Sequence, residues 1–137
     1  MAITSTDLGS RFNDIMIKDT DADETGVIDI TGAPGSVYMI HVTSTWGASS
    51  IFVKFYDEAA PTVGTSEPVF IMKVGASATK YCVIPDGLVF TTAISYAVTD
   101  QAGSQGAGSS VPANNVTLTF HEGTGDSNTC IGYQAGQ

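Results

Sequence analysis

The sequence predicts an all-β protein: an antiparallel β-sandwich, jelly-roll-like in its connectivity, with an extended N-terminal arm and a glycine-rich C-terminal tail. Three observations carry that expectation. Short runs in which apolar residues recur with period two follow one another from residue 26 to residue 120, the pattern of strands with one buried face. Between them stand clusters of Gly, Pro, Ser, Asn and Asp, residues that favour turns over ladder pairing. Helical periodicity is nearly absent; "RFNDIMIKD" at 11–19 is short and reads equally well as an extended segment or a single turn.

The elements follow in order. In "VIDI" (27–30), Ile28 and Ile30 share a face around Asp29. In "SVYMIHV" (36–42), Tyr38, Ile40 and Val42 alternate with Val37, Met39 and His41. In "SIFVKFY" (50–56), Ile51, Val53 and Phe55 oppose Phe52, Lys54 and Tyr56. In "VFIMKV" (69–74), Phe70, Met72 and Val74 oppose Val69, Ile71 and Lys73. "KYCVI" (80–84), "LVFTTAISYAV" (88–98) and "VTLTF" (116–120) complete the set, with turns at 31–36, 46–50, 85–87 and 101–115. Seven or eight short strands without helices between them fit two packed sheets. A chain of 137 residues suits one core, and the pattern divides it into an acidic arm (1–25), a sandwich (26–120) and a flexible tail (121–137).

Composition excludes several functions. The net charge is −9, and the five cations, Arg11, Lys18, Lys54, Lys73 and Lys80, are scattered. Phosphate backbones and anionic membranes both select clustered Lys and Arg, so neither nucleic acid nor a membrane surface is an expected partner. Charged residues are only 14% of the chain, below the roughly 25% usual for soluble domains. No basic start with an apolar run marks a signal peptide, and no apolar stretch reaches the ~18 residues of a membrane span. The chain is therefore expected to act without export. Cys82 and Cys130 fit no zinc or redox spacing and are expected as free thiols.

Candidate chemistry is sparse. "DTDADETGVIDI" (19–30) opens like a calcium loop with Asp19, Asp21 and Asp23, but Glu24 stands where a glycine is needed and Ile30 where a bidentate glutamate is needed. His41 and His121 have no nucleophile motif near them in sequence. The glycines of 103–110 match neither phosphate-binding pattern. These residues predict no catalytic, cofactor or metal site. Strand 50–56 is instead apolar on both faces apart from Lys54, so either it lies between packed layers or its outer face meets another subunit. The expected interface residues are Trp46, Phe52 and Tyr56, with Asp57, Glu58 and Glu67 of the following loop either solvated or in contact with a neighbour.

That loop belongs to the most distinctive block in the chain. A strand running Phe52 to Asp57 leads into "AAPTVGT" (59–65) with Pro68. A strand from Val69 to Val74 follows, and then Gly-Leu-x-Phe-x-Thr-Ala-Ile-Ser from Gly87 to Ser95. Residues 36–100, which contain this pattern, resemble a family of small structural proteins of tailed bacteriophages, including phages of cyanobacteria. The resemblance implies a non-enzymatic virion component, synthesised in the host cytoplasm and located on the capsid surface. In that role it is a head decoration (cement) protein that binds the major capsid protein and itself forms a homotrimer, without a cofactor. The alternative is a tail- or fibre-associated module that binds host glycan through Trp46, Tyr56 and Tyr38, since sugars stack on aromatic faces.

Overall fold

A computed structural model describes residues 3–7, 15–29, 31–104 and 111–123. Its strands are β1 (Ile3–Asp7), β2 (Ile15–Asp19), β3 (Val27–Ile28), β4 (Gly35–Ser44), β5 (Ile51–Tyr56), β6 (Phe70–Val74), β7 (Thr79–Phe90), β8 (Ser95–Thr99) and β9 (Val116–Gly123). Among the described residues there is no helix. A five-stranded sheet of order β1-β2-β9-β4-β7 packs on a four-stranded sheet of order β3-β8-β5-β6, and all neighbouring strands run antiparallel. From β2 onward the chain passes from one sheet to the other at every connection except the β5–β6 hairpin. That order is consistent with the jelly-roll expectation.

The inner faces meet in one apolar core. Val37, Ile40 and Val42 of β4, Val116, Leu118 and Phe120 of β9, and Ile17 of β2 face Val53 and Phe55 of β5, Met72 and Val74 of β6, and Tyr96 and Val98 of β8. Phe55 sits at its centre. The Phe55 ring stands edge-on to Phe120 at 5.3 Å between centroids and lies 6.2 and 6.1 Å from Phe90 and Tyr96, so one side chain links both sheets. Each fully buried side chain of this size contributes about 1.5–3 kcal/mol, and edge-on aromatic pairs add to that.

Several elements differ from the sequence expectation. Residues 15–19, read as part of an arm, form β2 in the interior of the larger sheet, paired with β1 on one side and β9 on the other. An acid, Asp19, stands at an inward position of that strand and hides its amphipathic pattern. The strand expected at 27–30 ends at Ile28, because the Asp29 side chain turns the chain by accepting from Thr31 N, Thr31 Oγ1 and Gly32 N at 2.9, 2.7 and 2.9 Å; Ile30 lies outside the described residues. In β4 a bulge at Tyr38 breaks the expected alternation: Val37 faces inward with Ile40 and Val42, and Tyr38 turns outward with Met39 and His41. Finally, the expected turn at 85–87 is an excursion within β7. Residues 84–87 lie opposite Tyr38 alone, between the pairs Met39–Val83 and Val37–Leu88. Gly87, at φ +82°, suits this position, since a side chain there would be strained and its Cβ would stand 2.9 Å from Tyr38 Cε1.

The final strand runs to Gly123, three residues past the expected end of the sandwich at 120. Residues 124–137, with Cys130, and residues 105–110 of the glycine-rich connection lie outside the described residues.

Candidate functional site at the sheet crossing

The run 88–98, expected as one strand, is two. Phe90 ends β7 in the larger sheet and Ser95 begins β8 in the smaller one, so residues 91–94 carry the chain between layers. The backbone N–H groups left unpaired at such a crossing need acceptors, and Asp57 supplies them. Its Oδ2 accepts from Thr91 N and Thr91 Oγ1, both at 3.0 Å, and its Oδ1 from Thr92 N at 2.7 Å and Ala93 N at 3.3 Å. Partial burial alone would raise the Asp57 pKa. The hydrogen bonds from Thr91, Thr92 and Ala93 outweigh it and hold the carboxyl below its ordinary range. Immediately beyond, Ser95 Oγ donates to the Glu58 carbonyl.

The loop between β5 and β6 is organised to present this carboxylate. Val69 N donates to Phe55 O at 2.8 Å and closes the loop at its base. Within it, Thr65 N and Ser66 N both donate to Thr62 O at 2.9 and 2.8 Å, with Gly64 at φ +95° in the turn. Thr62 N in turn donates to Ser66 Oγ, and Ser66 Oγ donates to Glu58 Oε1, each at 2.9 Å. A loop with joined ends and its own hydrogen bonds is a compact Ω-loop, and both oxygens of its leading acid are committed to donors across the crossing. The chemistry of this block is structural.

The expected interface residues therefore separate. Tyr56 and Lys54 lie on the outer face of the smaller sheet yet are fully buried. The segment before β3 approaches the loop that follows Tyr56: a Cβ on Gly26 would lie 3.1 Å from the Pro61 carbonyl oxygen. Tyr56 thus has no surface to offer a partner, and burial raises the pKa of its hydroxyl and lowers that of the Lys54 amine. Asp57 and Glu58 bind their own chain. Trp46 is half-buried against the core, its backbone N–H donating to Ser44 Oγ, while Glu67 is exposed and Phe52 half-buried beside its cross-strand neighbour Lys73.

The acids of the calcium-like run serve the fold in the same way. Asp19 Oδ1 accepts from Asp21 N at 2.9 Å and Oδ2 from the buried Tyr96 hydroxyl at 3.1 Å; Asp21 Oδ1 accepts from Asn114 N and Asp23 Oδ1 from Thr25 N. Burial raises the Asp19 pKa against the hydrogen bonds that lower it. Among the described residues no three His, Cys, Asp or Glu side chains stand where they could hold a metal ion.

The feature that sequence reasoning missed is the outer face of the larger sheet. Met16, His121, Met39 and Val83 stand opposite one another across β2, β9, β4 and β7, and Lys18, Thr119, His41 and Tyr81 form the next row. The His41 ring stacks on Tyr81 at 4.6 Å, and burial lowers the His121 pKa. The signal was the alternation of Tyr81 and Val83 with Cys82 in "KYCVI", but which of its two faces is uncovered depends on sheet order. Comparison with protein-family models, curated proteins and solved structures gives no match for this chain.

Proposed function

We propose that this protein is a non-enzymatic structural component of a tailed-phage virion: a decoration protein that associates with itself as a homotrimer and seats on the outside of the head, bridging neighbouring subunits of the major capsid protein. The observation that carries this reading is the block from Phe52 to Ser95, whose phage-family-like residues are those that build the Ω-loop and the sheet crossing. A family pattern made of fold-defining residues speaks for a shared scaffold, and a compact sandwich with few surface charges suits a protein that works by contact. Bridging against the outward pressure of packaged DNA favours several modest contacts made at once over one strong contact.

The glycan-binding alternative gains nothing comparable. Its three aromatics do not form a platform: Tyr56 is buried, Trp46 packs on the core, and Tyr38 lies over Gly87 and Gly123. Mixing the purified protein with undecorated heads tests the proposal. Stoichiometric cosedimentation is the expected result, and heads that sediment bare in the presence of excess protein would overturn it.

A further inference from the structure

One side of the sandwich is unlike the rest of the surface. The edge strand of each sheet, β6 in the smaller and β7 in the larger, lies on this side, joined by the four-residue connection 75–78. On the outer face of β7, Tyr81, Val83 and Val89 are 63, 65 and 62% exposed; Ile71 on the outer face of β6 and Val69 just before that strand are 37 and 49% exposed, next to half-buried Phe52. These five account for all but one of the large exposed hydrophobic residues among those described. They form two stripes that diverge from a common edge onto opposite outer faces.

The backbone along that edge is protected against strand addition. Lys80 Nζ donates to the Lys73 carbonyl at 2.9 Å, which occupies an acceptor of β6, and Pro85 within the 84–87 excursion interrupts β7. What the edge presents to a partner is side chains. It also carries little of the net charge of −9 that makes copies repel: β6 and β7 carry Lys73 and Lys80 against the single acid Asp86.

We infer that these two stripes are the two halves of a head-to-tail self-association surface: the Tyr81–Val83–Val89 stripe of one copy packs on the Val69–Ile71–Phe52 stripe of the next, and the copies close into a ring. A two-fold contact through either stripe would leave the other exposed in every copy. A head-to-tail contact covers both, and because the stripes diverge from a single edge onto opposite faces, each copy is rotated relative to the last, the rotation a ring needs in order to close rather than run on as a filament. This surface deepens the decoration reading and rests on it for its purpose, since a ring is what delivers several capsid contacts together.

The test uses the purified full chain without heads, followed by sedimentation equilibrium. The wild type is expected to be oligomeric, and Val83→Asp and Ile71→Asp each to lower the mass toward that of a single chain. Mixing the two variants is the decisive measurement. Val83→Asp keeps the smaller-sheet stripe and Ile71→Asp keeps the larger-sheet stripe, so together they form one sound contact and a mass of two chains. Circular dichroism confirms the fold of each, and Tyr81→Asp with Val69→Asp replaces any variant that does not fold. A monomeric wild type, one variant alone that stays fully oligomeric, or a mixture that stays monomeric would each overturn the inference. Cosedimentation of the wild type with heads is scored separately, so a failure of the ring and a failure of head binding are read from different experiments.

Discussion

Asp57 connects two layers of the molecule through one carboxylate, and its removal is the most specific perturbation available at the level of a residue. Asp57→Ala deprives Thr91 N, Thr92 N and Ala93 N of their acceptor. Hydrogen bonds to a charged partner are worth about 1.5–3 kcal/mol, and some of the released groups reach water, so an overall loss of about 2 kcal/mol in urea unfolding is expected. The pH dependence has a definite sign. The folded pKa of Asp57 is depressed, so its stabilisation is present above the unfolded carboxylate value of about 3.9 and fades as pH falls through the folded value; Asp57→Ala should therefore cost less in acid than at neutral pH. Asp19 has the opposite sign. Its folded pKa is raised, so its contribution is complete below the unfolded value and is lost as pH rises through the folded one. Tyr96→Phe removes the hydroxyl that Asp19 Oδ2 accepts from, and is expected to cost about 1–3 kcal/mol in urea unfolding, more above the raised folded pKa of Asp19 than below it, because the hydroxyl favours the ionised carboxylate. A cost that does not change with pH would show that the hydroxyl does not distinguish the two forms of the Asp19 carboxyl.

At the level of elements, what sequence could reveal depended on whether the controlling interaction was local. β6 and β9 were legible because each has one face in the core and alternates along its length, and β5 because its run is apolar throughout apart from Lys54. β8 was not, since all five of its residues are buried, and the break before it is imposed by an acid 34 positions away, a side-chain contact that leaves no trace in a local pattern. β2 was hidden similarly: its inward acid is made tolerable by a tyrosine 77 positions away. The bulge at Tyr38 was hidden for a different reason, because both registers of "VYMIHV" offer apolar residues to either face and only the excursion at 84–87 decides between them. Gly87 tests that account. Replacing it with alanine forces a side chain to adopt φ +82° and meet the Tyr38 ring; the left-handed backbone alone costs about 1–2 kcal/mol. Tyr38→Ala should relieve the clash but not the backbone cost, so a double-mutant cycle in urea is expected to show favourable coupling between positions 38 and 87. Additive effects would mean that the ring and the glycine are independent.

For the whole molecule, the core and the exposed edge can be perturbed separately, because the residues that hold the two sheets together and those that remain exposed are disjoint sets. Phe55 meets Phe90 and Phe120 of one sheet and Tyr96 of the other, whereas Tyr81, Val83 and Val89 lie on the far side of their own sheet from that cluster. The division into two sheets was readable from alternation, but the identity of the uncovered face was not: it follows from strand order, which places β7 at an edge, and strand order is set by non-local pairing. This separation has a thermodynamic signature. A chain that associates through its edge is stabilised by mass action, so its thermal midpoint rises with protein concentration. Phe55→Ala, which opens a cavity where both sheets meet, should cost about 3–5 kcal/mol, a large part of the roughly 5–15 kcal/mol that holds a domain folded, and lower the midpoint at every concentration while keeping its upward slope. Val83→Asp should do the reverse, leaving the dilute-limit midpoint nearly unchanged and abolishing the slope. Calorimetry of the three proteins over a wide concentration range distinguishes these outcomes, and a wild-type midpoint independent of concentration would place the exposed stripes outside any self-contact.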